Sequence, residues 1–175
     1  MKQKWIILFI SSILLSLFLI SCLTLPNTSR LRWSLGQFVD QWNQPTGKYF
    51  VRFDGTVVAM FFSGGGRQEE KNIRDITFSE AEGLTFFIPS ATGSGPIMSM
   101  SVDIIIIKLD GTEAHFQGFY GGPARSRVRI EYSDELKELL LLEEVTIRLL
   151  MSNDFFRYQF KFPENFRQAY ELLID

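Results

Sequence analysis

Apolar side chains recur at every second residue through most of this chain, and that period points to a sheet. Phe156, Tyr158, Phe160 and Phe162 alternate with Arg157, Gln159 and Lys161, the pattern of a strand with one face in a core and one in water. Val145, Ile147, Leu149 and Met151 alternate in the same way with Thr146, Arg148 and Leu150. Ser152-Asn153-Asp154 supplies turn residues between these runs, so they are read as a hairpin. Met98 to Leu109 and Glu113 to Phe119 form a second expected hairpin through Asp110-Gly111, a dipeptide suited to positive φ. Ile104 to Ile107 is apolar at successive positions, which predicts a central strand covered on both faces. Lys48 to Phe53 and Thr56 to Phe62, joined by Asp54-Gly55, are expected to pair with each other. Ile73 to Phe78 and Leu84 to Ile88 read as shorter strands.

Two helices interrupt the strands. Ser133 is placed as an N-cap for Asp134 to about Leu142, with Leu136, Leu139 and Leu140 on one face. The β-branched Val145, Thr146 and Ile147 argue against continuing that helix. Pro163 opens a C-terminal helix with Phe166, Ala169, Tyr170 and Leu173 in one stripe. The fold class expected is mainly β: an antiparallel β-sandwich or small barrel with one or two covering helices, including a C-terminal helix. The 17 Phe residues supply its core, because each aromatic buries a large apolar area.

The N-terminal segment has a different character. Met1-Lys2-Gln3-Lys4 is a short positive region, and Trp5 to Ile20 is almost unbroken hydrocarbon. Charge, an apolar run and a small residue in that order describe a secretory signal, not part of a fold. Leu19-Ile20-Ser21-Cys22, holding the only cysteine of the chain, resembles the lipobox of bacterial lipoprotein precursors. The resemblance implies cleavage before Cys22, a diacylglyceryl thioether on its sulfur and an acyl group on its amine. Trp5 to Leu25 is also long enough for an uncleaved span. The h-region stops at Ile20 and the cysteine falls where the lipobox needs it, and both favour lipidation. Two or three acyl chains hold a protein to a membrane effectively for good. The expected organisation is residues 1–21 as signal, 22–30 as lipidated tether and 31–175 as one extracytoplasmic β-rich domain. Leu23 stands where inner-membrane retention usually uses Asp, so the resemblance favours the outer membrane of a host that has one.

Loss of residues 1–21 leaves 16 basic against 20 acidic side chains, a net charge of −4. That balance argues against nucleic acid as a partner. With Cys22 carrying lipid, no disulfide, thiolate nucleophile or cysteine metal site is available. Thr92-Gly93-Ser94-Gly95 lacks nucleophile-elbow spacing. Ser63-Gly64-Gly65-Gly66-Arg67 lacks the Gly-Lys-Ser/Thr ending of a phosphate loop and reads as a flexible connection between strands. One His and scattered carboxylates offer no spaced metal ligands, and no cofactor is expected.

His115, the only histidine, shares a strand face with Glu113 and Gln117. An envelope hydrolase or transferase would use it with Glu113 or Asp103, and would need it to line a concave pocket. Arg125, Arg127 and Arg129 alternate with Ser126, Val128 and Ile130, which projects three guanidinium groups from one strand face. Such forks suit carboxylates and phosphates, the groups of lipid headgroups, glycan phosphates and acidic wall polymers. Against that stand a charged face that only discourages edge pairing and neutralisation by Glu131. Gly118, Gly121, Gly122 and Pro123 are expected to form a sharp loop before the stripe. Trp33, Trp42, Phe119 and Tyr120 are expected to be mostly core and turn residues.

Phe38-Val39-Asp40-Gln41-Trp42-Asn43-Gln44-Pro45-Thr46-Gly47, a strand ending in Asp110-Gly111 and the closing Phe166-x-x-Ala169-Tyr170 are similar to a loosely defined group of uncharacterised exported bacterial proteins. Trp42-Asn43 stands where that group prefers Phe-Gly. The resemblance implies a β-rich extracytoplasmic domain and no catalytic residues. Together these readings lead to an envelope lipoprotein with a non-enzymatic binding or structural role. Its expected partners are the membrane, through the anchor, and an envelope lipid, glycan or protein. An accessory subunit of a larger envelope complex is the other non-enzymatic option.

Overall fold

The computed structural model describes residues 32–88, 100–121, 127–151 and 156–174. Arg32 to Asp175 forms one compact unit. Ten strands appear in chain order: β1 (Trp33–Val39), β2 (Pro45–Phe53), β3 (Val57–Ser63), β4 (Gln68–Ser79), β5 (Gly83–Phe87), β6 (Met100–Lys108), β7 (Glu113–Gly121), β8 (Arg127–Ile130), β9 (Val145–Met151) and β10 (Phe156–Lys161). Helix α1 (Asp134–Leu140) lies between β8 and β9, and α2 (Phe166–Ile174) closes the chain. All pairings are antiparallel, and the order β4-β3-β10-β9-β6-β7-β8-β5 closes because β5 also pairs with β4. The result is an eight-stranded barrel with β2 and β1 added at β4.

Period-two alternation fills the inside of the barrel. Ala59, Phe61, Ile104, Ile106, Val128, Ile130, Ile147, Leu149, Tyr158 and Phe160 are all buried, and rings meet across the interior at Phe86–Phe160 and Phe61–Tyr158. An interior filled by side chains leaves the outer wall and the ends as the surfaces for function.

Strand β4 changes partners along its length. Its first half pairs with β3 and its last residues with β2. The switch is made at Asp75, whose φ of 51° is left-handed, within a register shift against β5 between Arg74 and Thr77. The extra residue places Arg74 and Asp75 both outward while Ile73 and Ile76 both point in, as a bulge does.

Both helices form where expected. The Ser133 side chain accepts from the Leu136 N–H, and Leu136, Leu139 and Leu140 are buried. Helix α2 packs on β1 and β2, with Phe166 edge-on to Trp33 and Phe78 at centroid distances of 5.3 and 5.1 Å. Trp33 donates its indole N–H to the Glu164 carbonyl, 3.0 Å away.

Several local expectations are corrected. β2 and β3 do not pair with each other: β2 lies between β1 and β4, and β3 between β4 and β10. Ser63 to Arg67 connects two strands as expected, as the β3–β4 hairpin turn closed by Ser63 N–H to the Arg67 carbonyl. The short strand expected at Ile73 to Phe78 begins at Gln68. Gly118 and Gly121 belong to β7, not to a loop; Gly122 and Pro123 lie outside the described residues, as do residues 92–95. Trp42 is 74% exposed, whereas Trp33 and Tyr120 are buried. Ile105, like Ile104 and Ile106, is buried, with His115 and Arg148 opposite it in register.

Candidate functional site: an arginine face on the barrel wall

Strand β8 is short, and both of its edges are paired, with β5 on one side and β7 on the other. It is therefore not an edge strand, and its arginines are not needed to block edge pairing. Val128 and Ile130 point into the core while Arg127 and Arg129 are exposed, as the alternation requires. Arg125 lies outside the described residues.

Register decides what surrounds the two guanidinium groups. Arg129 stands opposite Thr85 on β5 and Phe119 on β7, and Arg127 stands opposite Phe87 and Gly121. Phe87 is in turn opposite Arg74, whose guanidinium carbon lies 5.0 Å from the Phe87 ring centroid. Thr85 is opposite Thr77, with the two hydroxyl oxygens 2.6 Å apart, and Thr77 is opposite Arg52. One row thus runs Arg52-Thr77-Thr85-Arg129-Phe119 across five strands, and the next runs Arg74-Phe87-Arg127.

The face is rich in arginine, with the carboxylates of Asp75 and Glu131 exposed next to it in sequence. Arg52 meets Asp54 at 3.5 Å. Among the described residues, no carboxylate lies within 4.0 Å of Arg74, Arg127 or Arg129. Glu131 is exposed just past the end of β8, and no ion pair joins it to either of them among the described residues. Phe119, 49% exposed, adds an open ring beside Arg129. Planar cations beside the Phe87 and Phe119 rings form a surface suited to phosphate or carboxylate.

The other polar clusters have a different chemistry. His115 sits on the same wall but its side chain is 68% exposed, 3.9 Å from Glu113. Glu113 is already bound by Arg148 at 3.2 Å. Gln117 donates to Asp103 and accepts from Ser101. The depressions at the barrel end near Glu143 and Glu164 do not include His115. Tyr132 and Lys137 both donate to Asp134, and Tyr170 donates to Glu80 at 2.6 Å. Burial, then the Glu80 hydrogen bond, push the Tyr170 phenol up to about 12. The Asp134 hydrogen bond raises Lys137 above the usual lysine range. The Tyr170–Glu80 bond ties α2 to the turn after β4, while Tyr132, Asp134 and Lys137 bind one another at the start of α1. Among the described residues, no group of three His, Cys, Asp or Glu side chains can hold a metal ion.

Known families, curated proteins and solved structures offer no match to this chain. Arg127 and Arg129 were legible from alternation alone. Arg52, Arg74 and Phe87 were not, because only register across β2, β4, β5 and β8 brings them to that face.

Proposed function

We propose that this protein is a bacterial envelope lipoprotein, moored through Cys22, whose barrel binds an anionic envelope component on the arginine face. The observation that carries the binding role is the set of three exposed arginines, Arg74, Arg127 and Arg129, with no carboxylate partner among the described residues, in a chain whose net charge is −2. An unpaired cationic patch on an acidic protein attracts polyanions locally while the rest of the molecule repels them. The filled barrel and the exposed, already paired surroundings of His115 support binding over acid–base catalysis.

Two measurements test the reading. The full chain should be retained on immobilised polyphosphate and elute with salt, and R127Q/R129Q should elute much earlier. Equal retention of both proteins would remove the arginine face from the account. The mooring is tested separately by the mass of the native N-terminal peptide. Acylated Cys22 at the new terminus is expected; a peptide beginning at Met1 with a free thiol would exclude lipidation. Among the described residues, no helix is long and apolar enough to cross a membrane.

A further inference from the structure

Given the binding role proposed above for the arginine face, we propose that Asp75 is its cation-binding half, so that the component bound there carries an ammonium group beside its phosphate.

The β4 bulge brings the two charges together. Arg74 stands opposite Phe87 and Thr77 opposite Thr85, so Asp75 and Ile76 of β4 share the single Phe86 of β5. A regular strand alternates its faces, whereas the consecutive residues Arg74 and Asp75 are both exposed. Asp75 holds a left-handed φ of 51°, a conformation that costs most residues free energy and that Asp and Asn tolerate best. Bulges of this kind re-aim side chains beside functional sites.

Neighbouring opposite charges ordinarily pair, and these do not. The Arg74 guanidinium carbon lies 5.0 Å from the Phe87 ring centroid, which draws the cation across to β5. Among the described residues, no ion pair within 4.0 Å joins Arg74 to Asp75, and no hydrogen bond reaches the Asp75 carboxylate. Both charges are therefore open to a ligand.

Complementarity selects the chemistry of that ligand. A molecule that is anionic throughout gains at Arg74 and Arg127 but is repelled at Asp75, and again at Glu131 just past Arg129. An ester with an ammonium close to its phosphate gains at both signs, and the carboxylates then discriminate against plain anions. An amino-phosphate has this chemistry, whether as a lipid headgroup or as a free ester.

The test is displacement of the full chain from immobilised polyphosphate by O-phosphoethanolamine or by ethyl phosphate. The two esters differ in the ammonium group alone, and ethyl phosphate has the greater net negative charge. A face that reads only anions would release the chain at the lower concentration of ethyl phosphate. The mixed-charge site predicts the reverse, with phosphoethanolamine effective at about two- to fivefold lower concentration, the worth of one exposed ion pair. Asp75→Asn keeps a side chain that tolerates the left-handed φ, and it should make ethyl phosphate the better competitor. Glu138→Gln removes an equal charge from α1 and should leave the wild-type order. Vesicles containing phosphatidylethanolamine, compared with wild type and Asp75→Asn, tell the sources apart. A wild-type advantage on vesicles assigns a lipid headgroup, and one confined to the free ester assigns a soluble ester. Ethyl phosphate as the better competitor of wild type, or an order that Asp75→Asn leaves unchanged, would overturn the role of Asp75 while anion binding by the arginines stood. Equal retention of wild type and R127Q/R129Q before any competitor is added would overturn both.

Discussion

Replacing Phe166 by alanine is expected to destabilise the domain by about 3–5 kcal/mol, or roughly 10–15 °C in Tm. Phe166 is 2% exposed, and its ring meets Trp33, Phe78, Phe162 and Tyr170 at centroid distances between 5.1 and 6.3 Å. These residues come from β1, β4, the segment just after β10 and α2, so the truncation opens a cavity where four segments converge. Phe166→Leu keeps most of the volume and should lose less than half as much. A thermal melt followed by circular dichroism separates the two variants. A loss below about 1 kcal/mol for the alanine variant would show that α2 is not integral to the core.

Gly83→Ala is expected to be nearly as damaging, by a different mechanism. Gly83 has a φ of 79°, a conformation that costs an alanine roughly 1–2 kcal/mol. A Cβ there would also press into the Ile130 carbonyl oxygen and the Tyr132 nitrogen. Those are backbone atoms of the segment leading from β8 to α1, so no rotamer change relieves the contact. The combined loss should reach about 3 kcal/mol or more. Gly111 isolates the conformational part, with a similar φ of 83° and no atom within 4 Å of the added Cβ. Gly111→Ala should therefore cost only about 1 kcal/mol. Equal melting temperatures for the two variants would contradict the steric argument.

Local pattern carried most of the strand assignment. The runs at 145–151 and 156–162 and the Asp110-Gly111 hairpin were legible because alternation and turn chemistry are encoded within a few residues. Ser133 and the Leu136/Leu139/Leu140 stripe marked α1 in the same local way. Pairing beyond hairpins was not legible. Asp54-Gly55 looks like a hairpin turn, yet β4 lies between β2 and β3, since its length and its bulge at Asp75 let it serve both. Closure by β5 with β4 and β8 is likewise a long-range event that no local signal announces. For the site, alternation sent Arg127 and Arg129 outward, but whether Glu131 neutralised them depended on rotamers and register. The same limit hid Arg74 and Phe87, which reach the arginine face only through the β4–β5 ladder.

The claim with most at stake is that position on this face matters, and not charge in general. Titrating polyphosphate into the full chain by calorimetry tests that directly, using wild type, R127Q/R129Q and a charge-matched K48Q/K161Q control. Each exposed guanidinium contact should be worth about 1 kcal/mol, so the arginine pair should weaken binding roughly thirtyfold while the lysine control stays within about twofold. Equal weakening by both variants, or none by either, would contradict a binding role for the arginine face.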